Sequence, residues 1–182
     1  MRAFALDAGG PAGVCTRINS VLCGNIAHDK FVTCFYGLLD GATGALTYCN
    51  AGHLPPILMH DSGPSVPLTI GGVVLGFSSD VEYQEATVRI ERGDRLALFT
   101  DGITEASNAS GDEYGDGRIE SILRMSLDET ASALANRVIT DAAGFCGGQF
   151  NDDVTMIVVA AEPLRSSAAR AVGARTPSES IA

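Results

Sequence analysis

An α+β fold follows from three observations on this 182-residue chain. Short apolar runs bounded by turn residues read as strands. Two of these runs flank a tight polar loop and so form an antiparallel hairpin. Two longer segments carry apolar residues at helical spacing along one side only. A chain of this length suits one domain with one core, and its hydrophobic fraction of 46% is ample for one. A net charge of -10 argues against a nucleic-acid partner, whose phosphates would be repelled. No apolar run is long enough to span a bilayer, and the N-terminus has too short an apolar stretch for a secretory signal. The five cysteines show no CxxC spacing, which points to reduced thiols in a cytoplasmic protein.

The elements follow in order. Residues 1–6 are a short apolar-rich piece that ends at the break Asp7-Ala8-Gly9-Gly10-Pro11. Pro11 opens a helix, since a first helical position needs no N–H. Val14, Ile18, Val21 and Leu22 give it one apolar face, and Gly24-Asn25 ends it. Phe31 to Leu39 is a strand, Asp40 to Gly44 a hairpin loop, and Ala45 to Asn50 the returning strand. Asn50 to Pro56 is a polar break, in which His53 is either a ligand or acid catalyst or a turn histidine bonded to nearby backbone. Ile57 to Met59 is a short strand, and Asp61 to Pro64 a turn. Gly71 to Gly76 lacks the Lys-Ser/Thr of a phosphate loop and the spacing of a dinucleotide motif, so it reads as a bulged, close-packed strand connection. Val81 to Ile90 alternates as a strand. Asn108 to Gly115 is a surface loop, and Arg118 to Met125 a short helix. Thr130 to Ala143 is a longer helix with Leu134, Val138 and Ile139 on its apolar side and Asp128 or Ser126 as its cap. An acidic turn, Phe150 to Asp153, leads into a last apolar strand ending at Val159. Residues 163–182 lack periodicity and read as a disordered tail, leaving a domain over residues 1–162.

The chain is organised around Asp94 to Ala106. Its apolar run Leu96 to Thr100 reads as a strand covered on both faces, and Asp101-Gly102 stops it. An acid in that place either caps its own turn or binds a cation. Asp152-Asp153 stand where the last apolar strand begins. If the two strands pair antiparallel, these ends coincide and two or three carboxylates meet. Carboxylates so placed repel one another unless a cation lies between them. Oxygen-only donors with no His/Cys cluster select a hard ion, Mg²⁺ or Mn²⁺, which activates water for attack on phosphorus.

In order and spacing, Phe31-Val32-Thr33, Tyr36, Leu39-Asp40, Asn50-Ala51-Gly52-His53, Leu75-Gly76, Gly93 to Ala106 and Asp152-Asp153-Val154-Thr155 resemble the SpoIIE/RsbU branch of the PPM (PP2C-type) protein phosphatases. The resemblance implies an α-β-β-α sandwich of two antiparallel sheets flanked by helices. It implies hydrolysis of phosphoserine or phosphothreonine with two Mn²⁺ or Mg²⁺ ions bridging a water nucleophile. By position, Asp101 and Asp152 are then ligands of one metal, Gly102 and Asp153 support them, and His53 and Glu105 lie in the motifs without an assigned catalytic role. The implied partner is a phosphorylated regulatory protein, of the anti-anti-sigma type. The family's first metal motif, Asp-x-x-Gly-x-Gly, which supplies the aspartate bridging both ions, has no counterpart here. The sequence therefore predicts a domain incomplete at its N-terminus, with weak metal binding and weak or absent activity. The competing expectation is a non-catalytic interaction module that keeps the sandwich surface. Oligomeric state stays open, although an unpaired sheet edge favours association.

Overall fold

Alternation along the buried strands sets the architecture. The computed structural model describes residues 9–27 and 29–161; the expectations for residues 1–6 and for the tail lie outside this range. One sheet contains β1 (Cys34–Leu39), β2 (Ala45–Ala51), β5 (Gly71–Gly72) and β6 (Ala86–Arg89). The other runs in the order β4 (Val66–Pro67), β3 (Ile57–Met59), β7 (Arg95–Phe99), β8 (Met156–Ala160), antiparallel throughout. Four helices complete the described chain: α1 (Pro11–Cys23), α2 (Asp101–Thr104), α3 (Asp116–Met125) and α4 (Ala131–Phe145).

Successive residues of a strand face opposite sides, so each central strand serves two layers. On β2, Leu46 and Tyr48 pack with Leu58 and Leu96 between the sheets, while Cys49 and Ala51 pack with Cys15 of α1. On β3 and β7, Ile57, Met59, Ala97 and Phe99 face Ile119 and Leu123 of α3 and Leu134 and Val138 of α4. The result is helix, sheet, sheet, helix, with three apolar layers where the sequence suggested one core. The two-sheet sandwich expected from the motifs holds, with one amendment. β2 pairs antiparallel with β1 and β6 but parallel with β5, through Asn50–Gly71 and Ala51–Gly72. Only glycine permits that approach, because a Cβ on Gly71 would lie within covalent range of the Asn50 carbonyl.

Several expected boundaries shift for identifiable reasons. The strand drawn over Val81 to Ile90 is real only at Ala86–Arg89; upstream, the buried Tyr83 ring covers Gly72 instead of extending a ladder. The first hairpin strand begins at Cys34, and Val32 makes only an isolated bridge to Leu75. Thr130 caps α4, its hydroxyl accepting the Ala133 N–H at 3.2 Å, in place of the expected Asp128 or Ser126. Val21 faces solvent at 46% exposure, and the inward side of α1 carries Asn19. That side chain is buried because it is satisfied: its amide donates to the Ser78 carbonyl and its oxygen accepts from Gly76 N–H, both at 2.8 Å. All five cysteines are free.

These faces predict opposite outcomes for two similar substitutions. Val14→Ala, in the buried face, costs about 2 kcal/mol of unfolding free energy. Val21→Ala changes it by no more than about 0.5 kcal/mol. Urea unfolding followed by far-UV circular dichroism separates the two, and the reverse ranking would mean that α1 packs by its other side.

Candidate active site

β7 is buried over nearly its whole length and pairs with β8 in a fixed register, from Arg95 opposite Ala160 to Phe99 opposite Met156. Thr100 extends the pairing by one step. Its N–H donates to the Thr155 carbonyl at 3.1 Å, its hydroxyl donates to the Asp153 carbonyl at 2.9 Å, and the hydroxyl oxygen accepts the Thr155 N–H at 3.0 Å. The strand ends carrying Asp101 and Asp152-Asp153 therefore meet, as antiparallel pairing requires. Gly102 makes the closure possible: a Cβ there would come within 2.4 Å of the Asp153 carbonyl oxygen and 3.1 Å of that of Asp152.

The carboxylates at this junction are exposed. One oxygen of Asp101 accepts the Gly102 N–H at 3.0 Å, and one of Asp152 accepts the Asp153 N–H at 2.7 Å. The other oxygen of each takes no hydrogen bond from the described residues. Asp101 is thus the first residue of α2, behind an N-cap, Thr100, that makes no side-chain capping bond, and it presents a free oxygen. Exposed carboxylate oxygens with no competing protein donor fit a hard cation. They fit it only in part: among the described residues, no group of three or more His, Cys, Asp or Glu side chains is arranged to hold a metal. The three-carboxylate convergence allowed by the sequence is not formed, and Asp153 contributes its backbone to the junction.

His53 approaches from the other sheet. Asn50, buried at 4% exposure, clamps its loop by accepting the His53 N–H at 2.8 Å and donating to the carbonyls of His53 and Leu68. The His53 ring lies 3.5 Å from the Thr33 hydroxyl, a long contact. Burial holds its pKa below the ordinary 6.5, while the charge of Asp101 pulls it up. The histidine and the aspartate therefore share one electrostatic neighbourhood. Glu105 follows α2, is exposed and lines a neighbouring cavity. Two positions that organise the site, Thr100 and Asn50, were read from sequence only as parts of longer motifs, with no role of their own. Each is a short polar side chain at the end of an apolar strand, and that placement was the available signal.

A two-sheet sandwich with helices outside and carboxylates where β7 meets its edge neighbour β8 defines a PP2C-like phosphatase fold. The chain superposes on the SiaA-PP2C domain of Pseudomonas aeruginosa with a TM-score of 0.73, at 18% identity, over 85% of this chain and 62% of that one. It also matches the phosphatase domain of the cell fate determinant SpoIIE from Bacillus subtilis, with a TM-score of 0.68 at 18% identity, over 96% of this chain and 73% of that one. A family model described as Stage II sporulation protein E (SpoIIE) matches residues 1–162, and the chain belongs to that family. In sequence it is 28% identical over 151 residues to the phosphoserine phosphatase RsbU of Bacillus subtilis (strain 168), covering 82% of this chain and 44% of that protein. The chain spans less than half the length of the curated relatives it matches.

Two outcomes test this geometry. Gly102→Ala forces the Asp153 carbonyl away and destabilises the fold by about 2–3 kcal/mol; a denaturant midpoint unchanged from the parent would show that the junction is loose. The His53 pKa, read by NMR titration, falls below 6.5 and falls further in Asp101→Asn, which removes the charge favouring the imidazolium. Because the folded value lies below the unfolded one, the unfolded chain takes up the proton first. Stability contributed at this site is therefore intact above about pH 6.5 and declines as pH drops towards the folded pKa.

Proposed function

We propose that this chain carries metal-dependent hydrolysis of phosphoserine or phosphothreonine on a phosphorylated regulatory protein, of the anti-anti-sigma type. The observation that carries the reading is the meeting of Asp101 and Asp152 through the β7–β8 register. A relative named as a phosphoserine phosphatase supports it. Asp101 and Asp152 would hold a hard divalent ion, Mn²⁺ or Mg²⁺, through the oxygens that the backbone leaves free. Bound there, such an ion supplies Lewis acidity and an activated water for attack on phosphorus. The chain's own residues keep that site in shape. Paired strands hold the two carboxylates in register, Gly102 lets the backbones close, and the Asp153 N–H orients Asp152. His53, whose pKa burial holds below the ordinary 6.5, presents an imidazole in the electrostatic neighbourhood of Asp101. The free cysteines fit a reducing, cytoplasmic location.

Two carboxylates are a sparse donor set for an ion that takes about six ligands, so this chain binds Mn²⁺ weakly and turns over slowly. The same sparseness favours a second reading, a module that binds a phosphoprotein without cleaving it. Hydrolysis of p-nitrophenyl phosphate in a Mn²⁺ titration decides between them. The enzyme reading expects metal-dependent turnover that drops by about a hundredfold or more in Asp101→Asn and in Asp152→Asn. A folded chain with no turnover at high Mn²⁺ that still captures a phosphoprotein would replace it with the second reading.

A further inference from the structure

Behind α2 opens a cavity of about 430 Å³. Its floor is apolar, built by Leu54, Ile57, Pro67 and Phe99. It is continuous with the carboxylate junction along the chain. Leu54 follows His53, Phe99 lies two residues before Asp101, and Thr104 and Glu105, at the far end of the helix that Asp101 begins, form part of the wall. Asp101 and that wall are separated by about 5 Å of helix axis.

The rim has the opposite character. Glu105, Glu113 and Asp116 line it and are exposed, and none takes an ion pair or a side-chain hydrogen bond from the described residues. Glu120 also lines it but is engaged by the Ser65 hydroxyl and by Arg124. No Lys, Arg or His is part of the lining. An apolar floor under an uncompensated negative rim suits an aliphatic side chain with a cation beside it, and it repels an acidic segment. An extended peptide advances about 3.3 Å per residue. A residue about two or three positions from a phosphoryl group held at Asp101 and Asp152 therefore arrives at the cavity.

We propose that this cavity is a specificity subsite for the phosphoprotein substrate, seating an aliphatic side chain that neighbours a Lys or Arg close to the phosphorylated residue. The proposal rests on the phosphatase reading above, and it gives Glu105 a role: its carboxylate faces the substrate's cation. The subsite acts on binding and orientation, and no bond is made or broken in it.

The test measures binding of short fluorescein-labelled phosphoserine peptides by anisotropy, with Mn²⁺ present. One series carries Leu-Arg about two to three residues from the phosphoserine, on its N-terminal or its C-terminal side; the others carry Ala-Arg or Leu-Glu there. In one of the two directions, the Leu-Arg peptide is expected to bind about tenfold tighter than Ala-Arg. The Leu-Glu peptide is expected to bind more weakly than Leu-Arg by a similar factor, with the Arg preference shrinking at about 0.5 M salt. Combining Glu105→Gln, Glu113→Gln and Asp116→Asn is expected to erase the preference for Arg over Glu while keeping that for Leu over Ala. Equal affinities across the phosphopeptides, no binding of any of them, or an Arg preference that survives in the triple variant would each overturn the subsite. Turnover of p-nitrophenyl phosphate, which has no flanking residue, is measured on the parent chain alongside. Turnover without flank preference removes the subsite and leaves the phosphatase reading; flank preference without turnover supports the subsite and removes the catalytic reading.

Discussion

The register between β7 and β8 is the constraint on which the rest depends. A strand buried on both faces cannot slip by one residue without moving Leu96 and Leu98 out of the space between the sheets and Ala97 and Phe99 off the helices. Its partner is fixed with it, and Thr100 closes the ladder beyond the last pair. The positions of Asp101 and Asp152 are consequences of packing well away from them. A polar junction is thus held by apolar layers on either side, which lets its side chains stay exposed and available without the backbone wandering.

The ends of the strands are anchored in the same spirit. Asp94, buried at 2% exposure, accepts the Glu91 N–H at 2.8 Å and the Asp61 N–H at 3.1 Å, and lies 2.9 Å from His60 Nδ1. It ties the turn entering β7 to the turn leaving β3. Next to it, Arg95 donates to the carbonyls of Leu127 and Glu129 in the connection between α3 and α4. A buried charge carries a desolvation cost, so its persistence here needs these partners. In return, the outer helices are fastened to the sheet at the end opposite Asp101, and the apolar layer under them closes as a unit.

Much of this was legible in the sequence, and the failures have a common cause. The strand Leu96 to Thr100, the hairpin around Asp40 to Gly44 and the turn-bounded strand Ile57 to Met59 could be read because local chemistry and tertiary packing agree there. The antiparallel meeting of the last two strands could be framed from the position of acids at their ends. Where sequence reading failed, a tertiary partner decided. Periodicity alone put Val21 inward, but the inward position went to Asn19, whose partners come from the loop around Gly76 and Ser78. Alternation extended β6 back to Val81, but Tyr83 was claimed by the layer beneath α1. The cap of α4 is the threonine that begins the apolar periodicity, and only backbone geometry distinguishes it from Ser126 and Asp128 before it. The part each acid plays at the junction is likewise invisible locally, because Asp153 serves there through its backbone carbonyl.

The charge distribution ties the two functional proposals together. With a net charge of -10, the chain repels a phosphorylated partner at long range unless some feature offsets that repulsion. A divalent ion at Asp101 and Asp152 would neutralise their two charges locally, at the place where the proposed reaction brings a phosphoryl group close. The acidic rim beside it cannot attract the phosphate; it can attract a cation that travels on the same partner a short distance away. Two neighbouring patches of opposite preference, one neutralised by metal and one left negative, would then read a dipolar signature, a phosphate on one side and a Lys or Arg on the other. That arrangement discriminates by orientation as well as by charge, because a partner presented backwards brings phosphate to the rim and its cation to the metal. Specificity of this kind needs no deep pocket around the phosphate itself, which agrees with the exposure of every carboxylate at the junction.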